Sequence, residues 1–364
     1  MSPVGSRAAS AAGRVSRSPD KRFPHIHQIM LPTPWARMPS VAAYLVDAEP
    51  LTLIDAGIDD DASFAALEAG LDELGHTPGD VKRVALTHYH VDHLGGVGAL
   101  RRRGVDFELA AHSEAVHSIE HFTVEHSEDM EGMEALLRDY GVPEDVRATF
   151  VAHRRSRLEV QPPWAEATSV ERALHDGDGL DFKDFSLEVI HAPGHTAGHV
   201  VFQNRGTGTL ISGDTIMSGA VPHTENYYLE GLPEPGDPAR RRPRFKGLLA
   251  YRNSLRRLKR EGVRTILPGY GGVIRAADRA IREALLFYDV RIQRIERSLR
   301  SVTAMGQSVT AYEIWHGMYP NDDVRTEMRD KLLMVIGALD VLEDEGLALT
   351  SRRDDGVLVH AHSA

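Results

Sequence analysis

The chain of 364 residues contains no cysteine. That absence excludes disulfides, thiolate nucleophiles and thiolate metal ligands, and it leaves imidazole and carboxylate as the strong ligands at hand. No apolar run approaches the ~18 residues that a membrane-spanning helix needs, so the sequence reads as a soluble, cytoplasmic protein. Positive charge is in deficit: a formal net charge of −11 argues against a surface that coats nucleic acid, because phosphate binding requires clustered cations. The opening MSPVGSRAASAAGRVSRSPDKR has a single acid, Asp20, and no apolar core of the kind a secretory signal carries. Residues 1–24 are therefore expected to be a disordered tail, with a targeting segment or an over-extended start ahead of Met30 as the alternatives.

What remains is a hydrophobic content of 42%, enough for one large domain and a smaller one, and 19 histidines. From about residue 25 the chain alternates short apolar runs with turn signals. VAAYLVDA and LTLIDAG look like a hairpin, ASFAALEAGLDEL has helical spacing and stops at Gly75, and VKRVALTHYH is a buried strand running into a polar loop. Strand, helix, strand with polar residues just past a strand end is the α/β pattern in which sites collect. Residues 113–170 are charged and helical, and are expected to be a cap inserted into the sheet domain. Strands resume in FSLEVIHAPGHTAGHVVF and GTLISGDT, and after the loop PHTENYYLEGLPEPGDPARRRPRF a helix leads to RTILPG. Beyond residue 276 three helical segments and a DDG-turned hairpin suggest a winged-helix module over 276–364.

The densest chemistry lies in THYHVDHLGG, residues 87–96. Extended backbone sends alternate side chains to one side, so His88 and His90 can chelate one cation, while Asp92 and His93 follow where a turn into a helix would aim them at a second. Gly95 and Gly96 let backbone pass close by. In HAPGHTAGH a Pro-Gly turn at the end of an apolar strand presents His195, and in LISGDT a strand ends at Asp214. All these donors sit at strand ends, which implies that they converge.

With THYHVDHLGG, PGHTAGH and SGDT in that order, residues 25–275 resemble the metallo-β-lactamase superfamily, specifically its glyoxalase-II-like and lactonase-like metallohydrolases. The resemblance implies an α/β fold, a four-layer αβ/βα sandwich, with the C-terminal segment similar to the β-lactamase-associated winged helix. It implies His88, His90 and His195 as ligands of a first metal, Asp92 and His93 of a second, and Asp214 as their bridge. The implied activity is hydrolysis of a small ester, thioester or lactone by a metal-bound hydroxide that Asp92 could orient, with zinc expected and iron or manganese suited to the same donors. The implied partner is a small molecule. An endoribonuclease of the winged-helix branch, a mononuclear iron enzyme of the persulfide-dioxygenase type and a catalytically silent binding protein are the other readings; a homodimer is left open.

The chain departs from the family's pattern at LPGYGG, where Tyr270 stands at the position of a histidine that completes the second metal site. Three outcomes stay open: a weakened or empty second site, a two-metal site completed by Tyr270, water or His223, or Tyr270 as a hydrogen-bond donor to substrate or oxyanion over one metal. Lesser features have blander readings. His117 and His121 suit a solvated helix face better than a metal site, and Phe122, Met130 and Met133 suit helix packing better than an acyl pocket. Arg240, Arg241, Arg242, Arg244 and Lys246 form a run expected to be solvated, with a phosphate-bearing substrate as the sharper alternative. His191 is expected to support the site through a hydrogen bond, and His199 to do the same or simply pack. Arg325, Arg329, Lys331, Arg352 and Arg353 hint at nucleic acid, but Asp340, Glu343, Asp344 and Glu345 would repel phosphate.

Overall fold

The computed structural model describes residues 14–160, 163–229 and 243–363. Its first sheet has seven strands in sequence order: β1 (Val15–Arg17), β2 (Ile26–Trp35), β3 (Met38–Val46), β4 (Thr52–Ile54), β5 (Arg83–Ala85), β6 (Glu108–His112) and β7 (Arg172–Leu174). Neighbours are antiparallel as far as β4 and parallel from β4 to β7. The parallel steps require crossovers, supplied by helices α1 (Asp61–Glu73), α2 (Val91–Arg102) and α3 (Ser113–Glu120). Asp60 caps α1 by accepting from the Ser63 amide at 2.6 Å.

The period-two pattern of β3 explains the layering. Val41, Ala43 and Leu45 point to one face and pack with Leu67 and Leu71 of α1, Val97 and Leu100 of α2 and Ile119 of α3. Ala42, Tyr44 and Val46 point to the other and pack against Leu187, Val189, Phe202, Ile211 and Leu267. These last residues belong to a second sheet of five strands, ordered β14-β11-β10-β9-β8: β8 (Gly179–Asp181), β9 (Ser186–His191), β10 (Val200–Asn204), β11 (Thr209–Gly213) and β14 (Thr265–Pro268). On its outer side Gln203 donates to the Glu261 carbonyl and Pro193 accepts from Ser254. Helices, sheet, sheet and helix thus form the expected four-layer α/β sandwich.

Residues 14–24 depart from the expected tail. β1 pairs with β2, and Asp20 is buried, accepting from Thr209 Oγ1 at 2.7 Å and from Arg22 Nη2 at 2.9 Å. The local composition is poor in apolar residues, and the buried carboxylate of Asp20 is matched by donors from Thr209 and Arg22.

The chain divides into two compact units that are not contiguous in sequence: 1–123, 163–222 and 254–282 form one, and 124–162, 223–253 and 283–364 the other. The sheets belong to the first. The second draws together segments that the sequence suggested were separate, the inserted helices and the C-terminal part. It contains α4 (Phe122–Asp139) from residue 124 on, α5 (Glu144–Val160), the hairpin β12 (Asn226–Tyr228) and β13 (Arg244–Lys246), and the first half of α6 (Gly247–Leu258). Most of α7 (Ala277–Thr303) follows, with α8 (Ala311–Met318), α9 (Met328–Asp344) and the hairpin β15 (Ala348–Arg352) and β16 (Leu358–His362).

A polar knot ties this second unit. Arg244, whose side chain is 3% exposed, donates to Asn226 Oδ1 at 2.5 Å and to Asp340 Oδ1, while Tyr228 donates to Asp139 Oδ2 at 2.8 Å. The expectation that Arg244 belongs to a solvated basic run is therefore corrected: one Arg in that run has a carboxylate partner deep in α9, a pairing that charge runs along the sequence cannot reveal. Arg240, Arg241 and Arg242 lie outside the described residues. Asp340, expected among the acids that would repel phosphate, is likewise internal, as is every residue from Val335 to Leu342.

Candidate metal centre

Most of the residues that gather at the centre sit just beyond the C-terminal end of a strand. Asp55 follows β4, His88 and His90 follow β5, His195 follows β9, Asp214 follows β11 and Tyr270 follows β14. The two sheets are stitched where those ends meet: the Val200 amide donates to the Thr87 carbonyl at 2.8 Å, and Tyr44 Oη donates to the Pro268 carbonyl at 2.7 Å. Asp92 and His93 lie in the first turn of α2, whose N-cap is His90. The helix runs tight against its neighbours. A Cβ on Gly95 would fall 2.0 Å from the Trp164 carbonyl oxygen, and one on Gly96 2.0 Å from that of Ala56, so only glycine fits at either position.

His88, His90 and His195 bring one ligand atom each to within 4.8 Å of one another, and so do His88, His93 and Asp214. The tautomer of His88 follows from its partners. Thr87 Oγ1 donates to Asp55 Oδ2 at 2.8 Å and so accepts from His88 Nδ1 at 3.0 Å, which leaves Nε2 with a lone pair facing His90 Nδ1 at 3.0 Å. Burial and then the surrounding imidazoles of His93, His90, His199 and His195 push His88 well below the ordinary imidazole value, so its ring is neutral and able to ligate.

His93 has the opposite character. Its Nδ1 donates to Asp55 Oδ2 at 2.8 Å, and its Nε2 faces Asp92 Oδ2 at 3.4 Å and Asp214 Oδ1 at 3.5 Å. Burial pushes it down, but Asp55, Asp92 and Asp214 outweigh burial and hold it well above the usual value. Three carboxylates around one ring demand a positive charge there, from a proton or a metal. Nε2 of His93 and Oδ1 of Asp214 are buried without a hydrogen-bond partner among the described residues. Neutral imidazoles, ionised carboxylates and these two unmatched atoms are what a divalent cation requires, so the donors fit the metal that the fold implies.

Asp92 belongs to neither group of three, and its Oδ2 accepts from Tyr270 Oη. Burial raises the Asp92 pKa, but His93 and the Tyr270 hydrogen bond help pull it below the normal carboxylate range. Tyr270 is 5% exposed; burial, then Asp92 and Asp214, drive its phenol far above the usual value, so the neutral O–H donates to Asp92.

A supporting layer surrounds these residues. His199 Nε2 accepts from the Asp214 amide at 3.1 Å, with its Nδ1 3.1 Å from Thr215 Oγ1. His191 donates from Nε2 to the Ala197 carbonyl at 2.7 Å and stacks on His112 with centroids 3.9 Å apart, steadying the turn that presents His195. Both histidines thus have the supporting contacts considered for them. Asp55 went unassigned in the sequence, although an acid at the end of an apolar strand in LTLIDAG marks it; its φ of 58° is a left-handed conformation rarely adopted by a non-glycine residue. His117 on α3 and His121 at its C-cap have ring centroids 4.4 Å apart and join no group of three donors among the described residues, and Phe122, Met130 and Met133 are buried. His223 falls within the second compact unit.

Imidazole and carboxylate donors gathered where two packed sheets end are how metallohydrolases hold their ions. Comparison with known proteins narrows that class: residues 37–270 match the metallo-beta-lactamase superfamily, and the chain belongs to it. It is 28% identical to the probable metallo-hydrolase YqjP of Bacillus subtilis (strain 168) over 323 residues, 89% of this chain and 93% of that protein. Shorter matches join it to a hydroxyacylglutathione hydrolase of Aeromonas salmonicida (strain A449), 30% identical over 41% of this chain and 39% of that protein. The acyl-coenzyme A thioesterase MBLAC2 of Bos taurus is 30% identical over 37% of this chain and 41% of that protein. Among solved structures, a metallo-beta-lactamase family protein from Thermus thermophilus shares the fold with a TM-score of 0.70, covering 94% of this chain and 100% of that one at 23% identity. The protein is a metal-binding hydrolase, and no helix among its described residues is long and apolar enough to cross a membrane.

Proposed function

We propose that the chain hydrolyses a small thioester, with a small ester or lactone as the nearest alternatives, at a zinc site. The observation that carries the reading is the convergence of His88, His90 and His195 beside Asp214. Those four side chains would hold the ion, which when bound supplies Lewis acidity and lowers the pKa of water to ~7. Asp92 is an acceptor fixed in place by Tyr270, suited to orient a water and take its hydrogen bond. Thr87 and Asp55 keep His88 and His93 in the tautomers that expose Nε2, and His199 fixes the backbone of Asp214. The thioester is favoured because two of the similar proteins, a hydroxyacylglutathione hydrolase and an acyl-coenzyme A thioesterase, are named for thioester substrates.

A nucleic-acid substrate has less support. Arg325, Arg329, Lys331, Arg352 and Arg353 each lie within ion-pair distance of a carboxylate, and the buried stretch of α9 offers no charged stripe to phosphate.

The test exploits the absence of cysteine. A thiol-reactive dye sees no protein thiol, so release of glutathione or coenzyme A from acyl derivatives can be followed without background. Thiol release that is abolished by a chelator, restored by Zn2+ and lost in His88→Ala is the expected result. No release from thioesters, with turnover of lactones or aryl esters instead, would move the assignment to those substrates; cleavage of single-stranded RNA at low salt with no ester hydrolysis would overturn it.

A further inference from the structure

The two groups of donors have one member in common, His88. Its Nδ1 is engaged with Thr87, so it has a single lone pair to give, at Nε2, and can complete only one group at a time. If it joins His90 and His195, that ion has three imidazoles and lies beside Asp214, whose Oδ2 is 3.6 Å from His195 Nε2. What then remains for a second ion is His93 Nε2, Asp214 Oδ1 and Asp92. The Asp92 oxygen nearest His93, Oδ2 at 3.4 Å, is the one that accepts from Tyr270.

Tyr270 cannot easily turn away. Its chain is fixed on both sides, by the Ala42 amide donating to the Gly269 carbonyl at 2.8 Å and by the Ser218 amide donating to the Tyr270 carbonyl at 3.1 Å. A Cβ on Gly269 would fall 2.6 Å from Asp214 Oδ1, so this turn presses its bare backbone against the donors and leaves the phenol directed at Asp92. A phenolic O–H is a donor, and its hydrogen bond holds the nearest Asp92 oxygen in place and draws on the negative charge that a cation at that point would need.

We infer that the Tyr270 phenol commits Asp92 as its hydrogen-bond acceptor and thereby limits the cluster to one tightly held divalent ion. Tyr270 is a positioning residue here: it acts through Asp92, holding that carboxylate for water in place of a second cation. The inference rests on the cluster being an ion-binding hydrolytic site, and it selects one arrangement among those the sequence left open.

Full-length protein stripped with a chelator, reloaded with Zn2+ and passed through a column equilibrated with a weak competing chelator reads this directly as ions per chain. Wild type should retain one. Tyr270→His should retain two, and Tyr270→Phe, which frees Asp92 without adding a ligand, should bind its second ion more tightly than wild type and less tightly than the histidine variant. Titration with Co2+, followed by its visible absorption, gives a second count independent of turnover. Two equally retained ions in wild type, none at all, or the same count and affinities in all three proteins would overturn the inference. A wild type that holds one ion yet hydrolyses no ester, thioester or lactone would sink the proposed activity and leave the ion count standing.

Discussion

The carboxylate of Asp55 accepts a hydrogen bond from Nδ1 of His93 at 2.8 Å, with both side chains buried. That contact fixes which nitrogen of the ring faces the cluster, and the same carboxylate accepts from the Thr87 amide and hydroxyl, both at 2.8 Å. Asp55→Ala should therefore weaken ion binding and lower kcat/KM by about 10–100-fold, the usual cost of removing a group that orients a ligand. Competition with a chromophoric chelator measures the first and thiol release the second.

His88 is the donor that both groups require. Its replacement by alanine should cost more than the ~10–100-fold that a supporting residue costs, and should leave no stoichiometric ion. Metal analysis of the variant checks this, with far-ultraviolet circular dichroism showing whether the fold is retained.

In the second compact unit the buried pair Arg244 and Asp340 should behave as buried pairs do. Asp340→Ala leaves a guanidinium 3% exposed without its carboxylate, and should cost about 3–5 kcal/mol in urea unfolding. The double variant Arg244→Met with Asp340→Leu should recover much of that loss, because the desolvation penalty disappears together with the pair.

His112, at the N-cap of α3, has its pKa lowered to about 4 by burial and then by His191 and His175. The unfolded chain takes up this proton near pH 6.5, before the folded chain does, so stability is intact above that value and falls as the pH drops toward 4. Denaturant midpoints measured between about pH 7.5 and 4.5 should fall less steeply in His112→Asn, which retains a capping acceptor and removes the titration. An unchanged slope would remove His112 from the acid response.

Most of the centre was legible because it is written in local motifs. His88, His90, Asp92 and His93 share one strand end and one helix start, and His195 and Asp214 follow strands of their own, so residue type, spacing and position converge. Tyr270 stood out only against the family's pattern, as a departure from an expected histidine, and the structure adds its partner, Asp92. Asp55 was missed because its role depends on β4 lying beside β5, a pairing that no motif encodes. Arg244 was misread because a run of basic residues along the chain says nothing of an aspartate 96 positions away. Asp20 shows the same limit: its donor Thr209 is 189 positions distant.

The chain passes from one compact unit to the other at residues 123, 162, 222, 253 and 282. No single cut can therefore free either body. A gene fragment beginning at residue 276 would encode α7 to β16 but not Asn226, Arg244 or Asp139, and so would lack the partners of Asp340 and Arg352. The segment after residue 276 is therefore no self-contained module: it shares its compact unit with stretches of chain interleaved in sequence with those of the first unit.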